Sequence, residues 1–291
     1  MKAPLEVAID NLSLWREAAA ENRELRLLQA EQMGKAAAKD QLWDSTALRA
    51  LWSFPEGKAP RDALPLHEMT TEEQVAFCRG YGKRIASPYA EEEPLPPAPP
   101  AARVAFFDSF FAREALRRFE SVLPLPRPVT VPSFAAVCEE LANGRADFAL
   151  LPICDSREGK FRRLYEEIDR FELRITHVCD VPYPDEGRTV SMALLTRLYQ
   201  SPSTKGRCQQ LLSCALFEED EHSLPDVLHA ALLSGLSLKS IDTLTAPYGE
   251  DGVFYHPEFY AGDESAIQVF EAYLALFAPR ARITERYVHL G

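Results

Sequence analysis

No stretch of this 291-residue sequence approaches the roughly 18 consecutive apolar residues that a membrane-spanning helix needs. Its start, Met1 to Asp10, lacks the apolar centre of a secretory signal, so a cytoplasmic chain is expected. Basic residues are in deficit, with 32 Lys and Arg against 44 Asp and Glu, a net charge of −12, and no long basic cluster. A nucleic-acid surface or an anionic-membrane surface is therefore not expected. The six cysteines are irregularly spaced without a CxxC pair, and the six histidines never pair at metal-ligand spacing. Neither a disulfide frame nor a zinc site follows; the cysteines read as buried apolar residues in a reducing compartment. His177 and His289 fall on expected strands as satisfied structural residues. With no P-loop and no GxGxxG, no cofactor and no metal are expected.

What is present is an ordinary globular composition, 46% hydrophobic and 26% charged, with length for about two or three domains. The stretch from Pro132 to Val181 organises the chain. Ser133 can cap a helix whose apolar positions are Phe134, Val137 and Leu141, and Asn143-Gly144 can end it. Phe148 to Leu151 is a continuous apolar run, as in a parallel strand covered on both faces. Pro152 to Ser156 then reads as a turn at that strand's carboxyl end, where α/β sheets place ligands. A helix over Phe161–Arg170 and a strand over Leu173–Val178 follow, which gives two right-handed β-α-β units in one sheet. In this reading Asp155 and Ser156 either meet a ligand or cap the helix that begins near Gly159.

Upstream, helical patterns cover residues 5–39, 42–52 and 70–85. The long first helix places Trp15, Ala19, Asn22, Arg26, Ala30, Met33 and Ala37 on one face, with Asn22 and Arg26 as a polar layer. Acidic and proline-rich residues 91–102 form an extended linker. Downstream, residues from about 207 follow β-α-β-β-α-β order, the ferredoxin-like arrangement. Ser223 caps a helix with the stripe Leu224, Val227, Leu228, Ala231 and Leu232, and Asp263 caps another with Ile267, Phe270, Leu274 and Phe277 inside.

Gly144, Ala146, Asp147, Pro152, Ile153, Asp155, Ser156 and Gly159, after the opening strand Val104–Phe107, resemble the first lobe of prephenate dehydratases. The resemblance implies Ser156 and Thr189 as catalytic residues, Thr189 hydrogen-bonding the departing hydroxyl, and Asp155 as a ligand contact. Where that family has a glycine-rich anion loop, this chain has Asp108-Ser109-Phe110-Phe111, which reads as a helix cap. No second lobe fits between Val181 and Arg188, so the lobe's carboxyl-end surface needs another cover.

The amino-terminal helices resemble chorismate mutase, which implies Arg26 and Arg16 as carboxylate ligands, although Ala37 stands at the family's lysine position. The ferredoxin-like part resembles the ACT domain, which implies Ser223, Leu224, Asp242 and Thr243 as an allosteric site. The expected fold is thus multi-domain α and α/β (α+β): a chorismate-mutase-like helical segment (1–90), a linker (91–102), one prephenate-dehydratase-like lobe (103–200) and an ACT-like domain (206–291). The resemblance implies an enzyme of phenylalanine biosynthesis, prephenate to phenylpyruvate with loss of water and carbon dioxide, its activity weak or lost. The alternative is a non-catalytic metabolite-binding or regulatory relative. The implied partners are prephenate, chorismate or phenylalanine, and a second copy of the chain as a homodimer.

Overall fold

Thr70 and Glu73 form a reciprocal cap: each side chain bonds the other residue's backbone N–H, and the second helix starts there. A computed structural model describes this and the rest of residues 4–39, 69–82, 96–123, 125–184, 187–200, 208–217, 224–245, 253–278 and 281–290. The helix expected over 42–52 lies outside the described residues. Helix α1 (Pro4–Lys39) crosses α2 (Thr71–Tyr81), which ends at Gly82 with φ +50°. The crossing is made by two glycines. A Cβ on Gly34 would strike the Phe77 carbonyl, and one on Gly80 would strike the Glu31 carbonyl. Of the expected apolar face, Ala30 and Ala37 are buried beside Gly34, while Asn22 is exposed.

From residue 103 the chain alternates. The elements are β1 (Arg103–Phe107), α3 (Phe110–Phe119), β2 (Arg127–Val131), α4 (Phe134–Ala142) and β3 (Phe148–Asp155). Next come a two-residue β4 (Gly159–Lys160), α5 (Arg162–Arg170), β5 (Arg174–Pro182) and β6 (Thr189–Thr196). The remainder is β7 (Cys208–Phe217), α6 (Leu224–Ser234), β8 (Leu236–Thr245), β9 (Val253–Ala261), α7 (Glu264–Phe277) and β10 (Arg282–Leu290). Ser133 and Asp263 cap α4 and α7 as their sequence positions indicate. Gly144, φ +68°, follows α4 in the left-handed conformation that lets the chain leave the helix for β3.

The described strands join one sheet in the order β2-β1-β3-β6-β5-β10-β7-β9-β8, with β4 hydrogen-bonded to β3 off this path. β1 is parallel to β2 and to β3, so α3 and α4 each serve a parallel crossover. The strand after α5 behaves differently from expectation. β5 is not next to β3, because the returning strand β6 lies between them and is antiparallel to both. The last four strands are antiparallel in the order β10-β7-β9-β8, as in a ferredoxin-like unit. β10 then pairs in parallel with β5, Val288 opposite His177, so the two units are hydrogen-bonded edge to edge.

Pro152 to Asp155 are strand, not turn. A bulge at Ile153 lets Pro152, which has no N–H to donate, sit in an interior strand. Three large apolar cores and a small one around Ala215 and Phe254 occur among the described residues. One places α1, α2, α6 and α7 on one face of the ferredoxin-like strands, around Phe77, Tyr81, Phe259, Phe270, Tyr273 and Phe277. The other two large cores cover the opposite faces of the lobe's strands, one under α4 and α5, the other under α3. Asp147 of the family-like motif is structural: its carboxylate accepts from the Arg103 backbone N–H at 2.7 Å and pairs with the Arg103 guanidinium at 2.9 Å.

Candidate functional site

The tight hairpin from Asp155 to Gly159 sits at the carboxyl end of β3, and Gly159 turns it with φ +78°. Asp155 is 1% exposed and accepts from the backbone N–H groups of Arg157 at 2.8 Å and Glu158 at 3.3 Å. Arg188 Nε donates to both Asp155 oxygens at 2.9 Å, and its Nη2 donates to Glu158 Oε1 at 2.6 Å. The guanidinium also lies 4.8 Å from the centre of the Tyr183 ring, and that ring packs edge-on to Phe111. The hydrogen bonds from Arg188, helped by those backbone N–H groups, hold the Asp155 carboxyl down to about 2. One arginine therefore serves two carboxylates.

Ser156 and Thr189, the two residues expected to be catalytic, are brought together. Thr189 N–H donates to Ser156 Oγ at 3.0 Å, and Ser156 N–H donates to the Thr189 carbonyl at 2.9 Å. Neither Asp155 nor Ser156 caps α5, whose first residue has no side-chain cap. Asp155 instead ties the hairpin to Tyr183 and Arg188, with its charge balanced by Arg188.

Next to this rim lies a polar cluster that the sequence reading did not find. Lys160 on β4 is only 3% exposed along its side chain. Its ammonium donates to Glu258 Oε1 at 2.9 Å and to His256 Nδ1 at 2.6 Å, and it lies 3.6 Å from Asp242. That assigns the imidazole proton to Nε2, which faces Thr284 Oγ1 at 3.4 Å. Glu258 also receives the Tyr287 hydroxyl at 2.7 Å and Lys239 at 3.2 Å. Burial dominates the His256 shift, and the neighbouring Lys160 charge adds to it, holding the ring at about 3 and neutral. Burial opposes ionisation of Glu258, but the two lysines win and take its carboxyl below the usual range. The four-stranded unit thus presents charge to β4, beside the apolar Ala215 and Phe254 that pack against Tyr165 of α5.

The other expected site residues are placed as follows. Arg26 pairs with Glu73, Nη2 to Oε2 at 3.0 Å, so it braces the α2 cap. The Arg16 side chain and Ser223 lie outside the described residues. Leu224 opens α6 and packs against the helical core. Asp242 joins the Lys160 cluster, while Thr243, one position along β8, is exposed. At the family's anion loop Ser109 caps α3, and Asp108 pairs with Arg113. An open hollow of about 420 Å³ beside it is lined by Ser109, Phe110, Arg113, Glu114 and Arg117, and its arginines are held by Asp108 and Glu114. His289 bonds Asp180 at 3.1 Å, and Asp180 also accepts from Ser191 at 2.6 Å. His177 departs from expectation. It is fully buried, neither ring nitrogen has a partner among the described residues, and burial lowers it to about 4. No group of side chains suited to a metal occurs among the described residues.

No family model matches the chain, and no curated protein matches it in sequence. Solved structures do. A prephenate dehydratase from Streptococcus mutans superposes with a TM-score of 0.51 at 16% identity, over 66% of this chain and 100% of that one. A prephenate dehydratase from Arthrobacter aurescens, in complex with L-Phe, gives 0.46 at 13%, over 64% and 89%. One from Staphylococcus aureus gives 0.47 at 10%, over 64% and 99%. The first of these shows a shared fold.

Proposed function

We propose that this chain uses a prephenate-dehydratase-like fold for binding and regulation and does not dehydrate prephenate. The observation that carries the proposal is the commitment of Arg188. It is the arginine that precedes Thr189 and reaches the Asp155 hairpin, and Asp155 and Glu158 already hold it. Prephenate carries two carboxylates, and its dehydration needs anion-binding donors, an acid at the leaving hydroxyl, and walls that exclude water. Here the Arg188 charge is balanced by two carboxylates of the rim itself. Behind it, Lys160 and Lys239 are bonded to Glu258. In this proposal the ligand is a small carboxylic acid, met at the rim by Ser156 and Thr189, and the chain acts as a homodimer in the cytoplasm.

The test is incubation of the purified chain with prephenate and, separately, chorismate, following loss of each and gain of phenylpyruvate. No turnover of either is expected. Saturable binding of prephenate or phenylalanine in a calorimeter would identify the ligand. The enzyme reading has one observation in its favour, the direct contact of Ser156 with Thr189. Phenylpyruvate formation that disappears in Thr189→Ala would establish that reading in place of ours.

A further inference from the structure

Three buried polar atoms near the Lys160 cluster have no hydrogen-bond partner among the described residues: Glu285 Oε2, Ser213 Oγ and Tyr165 Oη. Ladder register relates the first two. Glu285 on β10 lies opposite Ser213 on β7, Ser213 lies opposite Glu258 on β9, and Glu258 lies opposite Ser240 on β8. Directly opposed residues share a face. The buried Glu258 and the half-buried Glu285, whose Oε2 is sealed from solvent, therefore share one row, separated by one serine, on the face that meets α5 and β4.

The cations there are already committed. Lys160 bonds Glu258 and His256, and Lys239 bonds Glu258, which also receives the Tyr287 hydroxyl. Asp242 lies 3.6 Å from Lys160 and is a further acid competing for it. From α5, Tyr165 and Asp169 act on this region, one with a neutral hydroxyl and one with a negative charge. His256 is neutral. What surrounds Glu285 is thus one shared ammonium, several acids and unpartnered hydroxyls. A carboxylic acid fits those surroundings and a carboxylate does not.

We propose that Glu285 is a proton-held latch: the chain folds with this carboxyl protonated, and loss of the proton loosens α5 and β4 from the four-stranded sheet. Burial pushes the Glu285 carboxyl up to about 8, with Lys160 pulling it down and Glu258 and Asp169 adding to the rise. The folded state then keeps a proton that the unfolded chain releases near its ordinary value of about 4.3. Stability from this group is full below that value and is lost as pH rises through the folded value. β4 is the return arm of the hairpin carrying Asp155 and Ser156. The same proton therefore sets how firmly the rim is held.

The experiment compares wild type with Glu285→Gln in urea unfolding from about pH 5 to 9, with amide exchange of residues 159–170 read alongside. The wild-type unfolding constant should rise about tenfold more per pH unit than that of the variant, up to about pH 8. Above that pH, exchange in β4 and α5 should exceed its intrinsic base-catalysed increase in wild type only. Equal pH slopes, or the same excess exchange in the variant, would overturn the proposal. Glu285→Met serves if the glutamine variant does not fold. Infrared spectra of the wild type supply a readout without any substitution. A protonated-carboxyl band at about pH 7 that is gone by about pH 9 is expected, and its absence at the lower pH overturns the latch.

Discussion

Replacing Lys160 with methionine keeps an unbranched, largely apolar side chain, one heavy atom shorter, and removes the ammonium with its charge and its donors. Because the ammonium is enclosed (3% exposed, against 4% for Glu258), water cannot take its place. Glu258 keeps Lys239 and the Tyr287 hydroxyl but loses the closer cation, His256 loses its donor, and Asp242 loses a cation 3.6 Å away while keeping the Ser240 hydroxyl. Breaking one side of a buried ion pair costs about 3–5 kcal/mol, and the surviving Lys239 places this case at the lower end, about 3 kcal/mol. Against a total stability of about 5–15 kcal/mol, such a loss is easily measured. In urea unfolding, Lys160→Met should shift the midpoint with little change in slope. The double variant with Glu258→Gln should cost about 1–3 kcal/mol less than the sum of the singles. Acid should sharpen the contrast. The Glu258 carboxyl is depressed in the fold, so its contribution is present above about pH 4.3 and fades as pH falls; Lys160→Met brings that fading to higher pH. A loss below about 1 kcal/mol, or strict additivity, would refute the view that this network joins the two units.

Other outcomes are expected elsewhere. Gly34→Ala and Gly80→Ala should each force α1 from α2 and lower the melting temperature, with a cost of about 1–3 kcal/mol or more, whereas alanine at exposed Asn22 should change little. His177 has a folded value below its unfolded one, so its penalty is absent above about pH 6.5 and grows as pH falls toward its folded value. His177→Leu should therefore gain about 2 kcal/mol relative to wild type at about pH 5 and much less at pH 8, checked by unfolding at both. Arg188→Gln leaves Asp155 buried without its cation, and the acid-unfolding midpoint should move to higher pH.

Local signals in the sequence were read well where one side chain decides the outcome. Ser133, Asp263 and Thr70 are caps, Gly144 leaves a helix, and the apolar run from Phe148 is a central strand. Long-range pairing was not legible. Nothing local announces that β6 inserts between β3 and β5, or that β10 closes on β5. The end of β3 reads as a turn in sequence because Pro152 normally breaks a strand, and the bulge beside it depends on a partner 40 residues on. The charged cluster failed for a related reason. Ser240 and Asp242 on β8, and His256 and Glu258 on β9, alternate with other residues as the wet face of an antiparallel sheet would. Only the arrival of β4 and α5 buries them. A usable signal was the lysine at position 160, directly after a tight turn, beside an otherwise apolar strand.

The parallel pairing of β5 with β10 also governs the order in which the protein can be completed during synthesis. The lobe's strands up to Thr196 are made early, yet one side of β5 stays an open row of N–H and C=O groups until residues 282–290 exist. A nascent chain therefore carries an adhesive margin through translation of the whole ferredoxin-like unit, and this long-range closure is slow. Any stall or cleavage before residue 282 leaves two margins exposed, those of β5 and β7, in a molecule whose remaining parts can still fold. Such fragments should be held by chaperones or aggregate, and protease resistance should appear only once residues 282–290 have left the ribosome.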